Sequence, residues 1–155
     1  MAEIRQTERA AKVLRDTMKC CKEYRHEFVM PEHLLLVLLD DFNFSKALEM
    51  FYPVEDLGER LEEQLEAIET VPEDKEYEPE ASAQMGQLIE IACHQVINSS
   101  AQAMDTPHLV MGMLQLNDQF FVTLWTIACQ APLSILASVQ ARILDWVAMY
   151  SRGSS

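Results

Sequence analysis

The chain has 155 residues, 49% of them hydrophobic, enough to bury one core without help from a metal or a disulfide. Its four glycines and six prolines are few beside its leucine, alanine, glutamate, methionine and glutamine, which favours helices over a turn-rich β-sandwich. The formal net charge of −13 repels phosphate backbones and anionic lipid heads, which speaks against nucleic acid and membrane surfaces as partners.

In the first segment Ile4, Ala11, Leu14, Met18 and Cys21 recur at helical steps with charged residues between them, predicting an amphipathic helix over residues 3–24. A polar corner, Tyr24-Arg25-His26-Glu27, follows. Pro31 then sits where a first helical turn tolerates proline, and Glu32 where the helix dipole favours an acid, so a short buried helix is expected over Pro31–Leu39. Asp40-Asp41-Phe42-Asn43 breaks it, Ser45–Phe51 reads as a brief third helix, and Pro53 opens a fourth with Val54, Leu57, Leu61, Leu65 and Ile68 on one stripe. Residues 55–80 carry about half of all the carboxylates and only Arg60 and Lys75 as cations, reading as a solvated helix face that runs into a flexible linker. Within it Thr70–Glu80 has two prolines and no periodicity.

The second half opens on the stripe Met85, Leu88, Ile89, Ala92, Cys93, Val96 and Ile97, then the corner Asn98-Ser99-Ser100. A shift of 75 positions lays Leu14 on Ile89, Met18 on Cys93, Cys21 on Val96, His33 on His108, Leu34 on Leu109 and Leu39 on Leu114. An internal repeat explains this. The expected fold is therefore all-α, a duplicated helical unit forming one domain over 1–150, with repeat one at about 1–69, an acidic linker at 70–80, repeat two at about 81–150 and a disordered tail at 151–155. After Pro132, Leu136, Val139, Ile143 and Val147 form a stripe compatible with an eighth helix.

Cys20 and Cys21 are adjacent and Cys93 and Cys129 stand alone, so reduced, mostly buried thiols are expected rather than a disulfide framework. Met1–Arg15 lacks the apolar run of a signal peptide, and the apolar block Phe120–Cys129 is too short to span a bilayer, which points to the cytoplasm. His26, Glu27 and His33 invite a metal-binding or hydrolytic reading. A helical zinc pair needs its histidines four apart, however, and these stand seven apart, so each of His33 and His108 is expected to hydrogen-bond to its neighbouring corner. Cys93 and His94 diverge on a helix, which disfavours a nucleophile–base pair, and the four isolated glycines form no phosphate loop. No catalytic group, metal or cofactor is assigned to this chain.

The stretch Arg25-His26-Glu27-Phe28-Val29-Met30-Pro31-Glu32-His33-Leu34-Leu35-Leu36-Val37-Leu38-Leu39 resembles the N-terminal repeat domain of Clp ATPases, closest to the ClpA type. Thr106-Pro107-His108-Leu109-Val110-Met111-Gly112-Met113-Leu114 repeats it, and the likeness covers about residues 5–119. The start Thr7-Glu8-Arg9-Ala10 is similar to the ClpC branch. The resemblance implies a pseudo-twofold bundle of two four-helix repeats, tethered ahead of the ATPase modules of a hexameric unfoldase. ATP and magnesium would belong to those absent modules, and a ClpP-like peptidase to the assembly. The implied work of the domain is docking of a ClpS-like adaptor and of protein substrates, with contacts at Glu27, Glu32, Ser82 and Gln87. The ClpA pattern has arginine where Gln87 stands. A first-turn acid such as Glu32 also serves the helix dipole, worth about 0.3–1 kcal/mol.

Overall fold

The structure, a computed structural model, describes residues 4–49 and 54–116. It contains helices α1 (Glu8–Tyr24), α2 (Pro31–Leu38), α3 (Phe42–Glu49), α4 (Val54–Glu66), α5 (Ala83–Asn98) and α6 (Thr106–Gln115), with two-residue strands β1 (Phe28–Val29) and β2 (Glu80–Ala81). The expected helix start at Pro53, the block Phe120–Cys129 and the eighth helix after Pro132 lie outside the described residues.

Two helix starts differ from the sequence reading, each for a local reason, while α2 ends at Leu38, one residue early, and α4 at Glu66, short of Ile68. Helix α1 starts at Glu8 rather than near residue 3, because the preceding backbone is extended and paired: Met104 N–H donates to the Arg5 carbonyl at 2.7 Å and Thr7 N–H to the Met104 carbonyl at 2.9 Å. The Thr7 hydroxyl then accepts the Ala10 N–H at 3.1 Å, an N-cap that the apolar periodicity does not reveal. Helix α3 starts at Phe42 rather than Ser45, since the Asp41 carboxylate accepts the Phe44 N–H at 3.0 Å and serves as a cap where the sequence suggested only a break.

The described residues divide into two compact units, one within Lys12–Gly86 and one that joins residues 4–11 to residues 87–116. In the first unit α2 and α3 pack on α4, with Leu34, Leu35 and Leu38 buried together with Phe44 and with Leu57, Leu61 and Leu65. Burying each such side chain stabilises by about 1.5–3 kcal/mol. In the second unit Leu88, Ala92 and Val96 of α5 and Leu109, Val110 and Met113 of α6 are buried together with Ala10 and Met104. There α5 and α6 approach so closely at Gly112 that a Cβ would lie 2.6 Å from the Leu88 carbonyl oxygen.

The duplication reaches individual hydrogen bonds. β1 and β2 pair in parallel with Val29 opposite Ala81, and a parallel bridge outside these strands sets Gln6 against Met104, the same positions displaced by 75. Just after α1, Arg25 has φ 57°, and just after α5, Ser100 has φ 58°, both in the left-handed region. After each, an N–H reaches back five residues at 3.1 Å, His26 to the Cys21 carbonyl and Ala101 to the Val96 carbonyl. Ser82 caps α5 by accepting the Met85 N–H at 3.0 Å, as Thr7 caps α1.

Candidate functional site

The corner between α1 and α2 holds the residues that the sequence singles out. The β1–β2 ladder brings it to the start of α5: Glu80 N–H donates to the Glu27 carbonyl at 3.1 Å and Ser82 N–H to the Val29 carbonyl at 3.0 Å. Glu27 is exposed, Phe28 beside it remains 42% exposed, and Ser82 is partly exposed at the far end of the ladder. Glu32 is half-buried in the first turn of α2; burial pushes its carboxyl pKa up, and its own backbone N–H pulls the other way. Glu27, Glu32 and Ser82 thus belong to one unit. Gln87, exposed in the second turn of α5, falls in the other.

Two histidines form the inside of this corner. His33, fully buried, accepts the Met30 N–H on Nδ1 at 2.9 Å, taking at the third helical position the part usually played by glutamate. Its Nε2 lies 2.8 Å from His26 Nδ1, and the His26 ring stacks on Tyr24 with centroids 5.3 Å apart. Burial, the neighbouring His26 ring and, in opposition, the Met30 backbone together put the His33 pKa at about 4. Burial also lowers that of His26. The Leu65 carbonyl opposes this shift, yet it is not in hydrogen-bond geometry with His26 Nε2, which has no partner among the described residues. The expected bond from each histidine to its corner is present, because His108 Nδ1 likewise accepts the Asp105 N–H at 2.9 Å.

These contacts leave the metal and hydrolase readings of His26, Glu27 and His33 without a site. Both nitrogens of His33 are engaged by the protein, His26 Nδ1 faces His33, and no group of three or more His, Cys, Asp or Glu among the described residues is placed to hold a metal. Cys21 is buried and its thiol donates to the His26 carbonyl at 3.3 Å; burial pushes its pKa up to about 11, far from a poised nucleophile. Cys20 and Cys93 are half-buried free thiols, and Cys129 lies outside the described residues.

One residue of the corner escaped the sequence reading. Arg25 donates from Nε to the Val71 carbonyl at 3.0 Å and from Nη2 to the Pro72 and Lys75 carbonyls at 2.6 and 2.9 Å, while its guanidinium lies 5.4 Å from the Tyr77 ring centre. Residues 70–79 carry no helix or strand, and Arg25 ties the carbonyls of Val71, Pro72 and Lys75 to the corner. An arginine in a polar corner carries no periodic signal, and the carbonyls it binds have none either.

The second copy of the corner is wired differently. Asp105 stands at the position of Met30 and accepts from the Thr7 hydroxyl at 2.9 Å, from Arg9 Nη2 at 2.9 Å and from the Thr106 N–H at 2.7 Å. Burial acts to raise its carboxyl pKa, but the Arg9 guanidinium, the Thr106 N–H and the Thr7 hydroxyl outweigh it and hold the group below the usual range.

Residues 5–126 match the family described as the Clp repeat (R) N-terminal domain. No curated protein matches the chain. Among solved structures it is similar to the Hsp104 N-terminal domain from Candida albicans, with a TM-score of 0.76 at 18% identity over 97% of this chain and 93% of that one. It is also similar to the N-terminal domain of ClpD from Arabidopsis thaliana, with a TM-score of 0.63 at 18% identity over 91% and 95% of the two chains. The N-domain of ClpV from Vibrio cholerae gives 0.65 at 14% identity over 96% and 93%. At these identities the likeness is one of fold.

Proposed function

The chain belongs to the Clp repeat (R) N-terminal domain family, and from that premise we propose that it is a docking domain of a Clp-type AAA+ unfoldase with no catalysis of its own. Its partners in this reading are a ClpS-like adaptor and protein substrates passed on for unfolding and degradation. The parent would be a cytoplasmic hexamer of the ClpA type that works with a ClpP-like peptidase and binds ATP and magnesium on other modules. No helix among the described residues is long and apolar enough to cross a membrane.

The observation that carries the proposal is the corner itself. Glu27 and Phe28 project from a backbone fixed by the β1–β2 ladder, with the half-buried Glu32 and Ser82 in the same unit, and anchoring by hydrogen bonds keeps the ordering cost of binding low. An exposed aromatic side chain flanked by acids suits a partner segment that offers an apolar side chain beside a cation. Ser82 is occupied by its capping bond, so its contribution would come through positioning α5. Gln87 supplies a hydrogen bond where an arginine would supply a charge.

Calorimetric titration of a ClpS-type adaptor into the chain at pH 7.5 tests the reading. Binding is expected for wild type, and Glu27→Lys, which removes one attraction and adds one repulsion, is expected to weaken it by about tenfold or more, some 1.4 kcal/mol. Absence of wild-type binding removes the adaptor from the proposal, and equal binding by Glu27→Lys removes this corner from the site.

A further inference from the structure

We propose that the His26–His33 pair is an acid-sensitive latch that holds the corner presenting Glu27 and Glu32 in its docking shape. The use of the latch rests on the docking reading; its existence does not.

The hydrogen bonds run in one direction. Met30 N–H donates to His33 Nδ1, so neutral His33 carries its proton on Nε2; that Nε2–H donates to His26 Nδ1, so neutral His26 carries its proton on Nε2. The series ends on that buried Nε2–H, with no acceptor among the described residues. Neither ring keeps a free lone pair, and an added proton can enter only by displacing the Met30 N–H or by parting the two rings.

No anionic group facing the rings compensates an added charge. From α1 come the Tyr24 ring and the Cys21 thiol, both kept neutral by burial. From α4 comes the Leu65 carbonyl, while Glu62 and Glu66 act on Tyr24 rather than on the imidazoles. On α2 the neighbouring acid, Glu32, is itself shifted toward its neutral form. Arg25 of the corner brings a cation and Tyr77 of the strapped segment a neutral ring, and no carboxylate contributes to the balance of either histidine.

The sign follows. In the closed corner both imidazoles have pKa values below 6.5, that of His33 near 4, whereas in an opened corner they return to about 6.5. The open form therefore binds more protons between those limits, and opening becomes more favourable as pH falls from 6.5 toward 4 while staying level above 6.5. Each proton taken up on opening multiplies the open population by at most about ten per pH unit, so two set a ceiling of about a hundredfold.

His26→Asn separates this from general acid denaturation, because Asn Oδ1 keeps an acceptor where Nδ1 stands and one titrating ring is gone. Amide exchange of the full chain, measured without any partner at pH 6.5, 5.5 and 4.5, reads the latch through the Met30, His33 and Leu34 amides, with Ala92 in α5 as a reference. The wild-type protection factors are expected to fall by up to about a hundredfold per pH unit, and those of His26→Asn by about tenfold, with Ala92 unchanged. A direct titration of the wild-type ring resonances is expected to place both below 6.5. Equal slopes in the two proteins, rings that titrate at the ordinary value, or loss of Ala92 protection in step with Met30 would each overturn the latch. If instead the adaptor does not bind at pH 7.5 while the exchange behaves as expected, the docking reading fails and the latch stands.

Discussion

A methyl group added at each of three helical glycines is expected to change stability with opposite signs. In a helix interior Gly→Ala stabilises by about 0.5–1 kcal/mol, because alanine loses less backbone entropy on folding. At Gly86 the new Cβ has nothing within 4 Å, and at Gly58 its neighbour is Leu39 Cδ1 at 3.7 Å, an ordinary contact, so both sites allow the full gain. At Gly112 it lies 2.6 Å from the Leu88 carbonyl oxygen and 3.4 Å from Ala92 Cβ. The first of these is backbone in the middle of α5 and has no rotamer to yield, so α5 and α6 must separate. Overpacking of this kind costs about 1–3 kcal/mol, which offsets the propensity gain and leaves Gly112→Ala less stable than wild type by up to roughly 2.5 kcal/mol. Urea unfolding of the full chain measures this directly, and each kcal/mol corresponds to about 2–4 °C in Tm at this size. If Gly112→Ala proves as stable as Gly86→Ala, the close approach of α5 and α6 is wrong.

Removing the strap with Arg25→Ala deletes three hydrogen bonds to carbonyls of residues 71–75 and is expected to speed tryptic cleavage after the exposed Lys75 by about tenfold. An unchanged cleavage rate would show that Arg25 does not hold this segment. Ala101→His supplies an acceptor at the position that His26 occupies in the first repeat, facing a buried His108 Nε2 that has no partner among the described residues. At pH 8 it is expected to stabilise by about 1 kcal/mol, with the gain fading below pH 6 as imidazole protonates; a gain independent of pH would mean that the new ring packs without forming the bond.

Much of the fold was legible because it rests on periodicity. The stripes Leu57-Leu61-Leu65 and Leu88-Ala92-Val96 are the buried faces of α4 and α5, and the displacement by 75 that aligned His33 with His108 also aligns the caps, the left-handed corners and the parallel bridges. What stayed hidden depends on partners distant in sequence. Extended pairing of Arg5 and Thr7 with Met104 trims α1, and the Arg25 strap and the 2.8 Å meeting of His26 with His33 arise only once a corner closes. Glu27 and Glu32 were picked out by resemblance. Their exposure and burial then follow from the ladder and the helix start, while a charge pattern alone would have given equal weight to a dozen other acids between residues 55 and 80.

The asymmetry of the two corners follows from which acid has an internal partner. In the second repeat Asp105 is neutralised within the protein by Arg9, Thr7 and the Thr106 N–H, Gln102 stands in place of Glu27, and Ala101 in place of His26. In the first, Met30 cannot cap with its side chain, so His33 does so alone and leans on His26, while Glu27 is left in solvent. The duplicated backbone is thus compatible with two opposite uses of a carboxylate. Turned inward at Asp105 it ties down the N-terminal segment, and turned outward at Glu27 it has no hydrogen bond or ion pair among the described residues. An exposed charge on a backbone held by the β1–β2 ladder is what the proposed docking of a partner's cation at Glu27 requires.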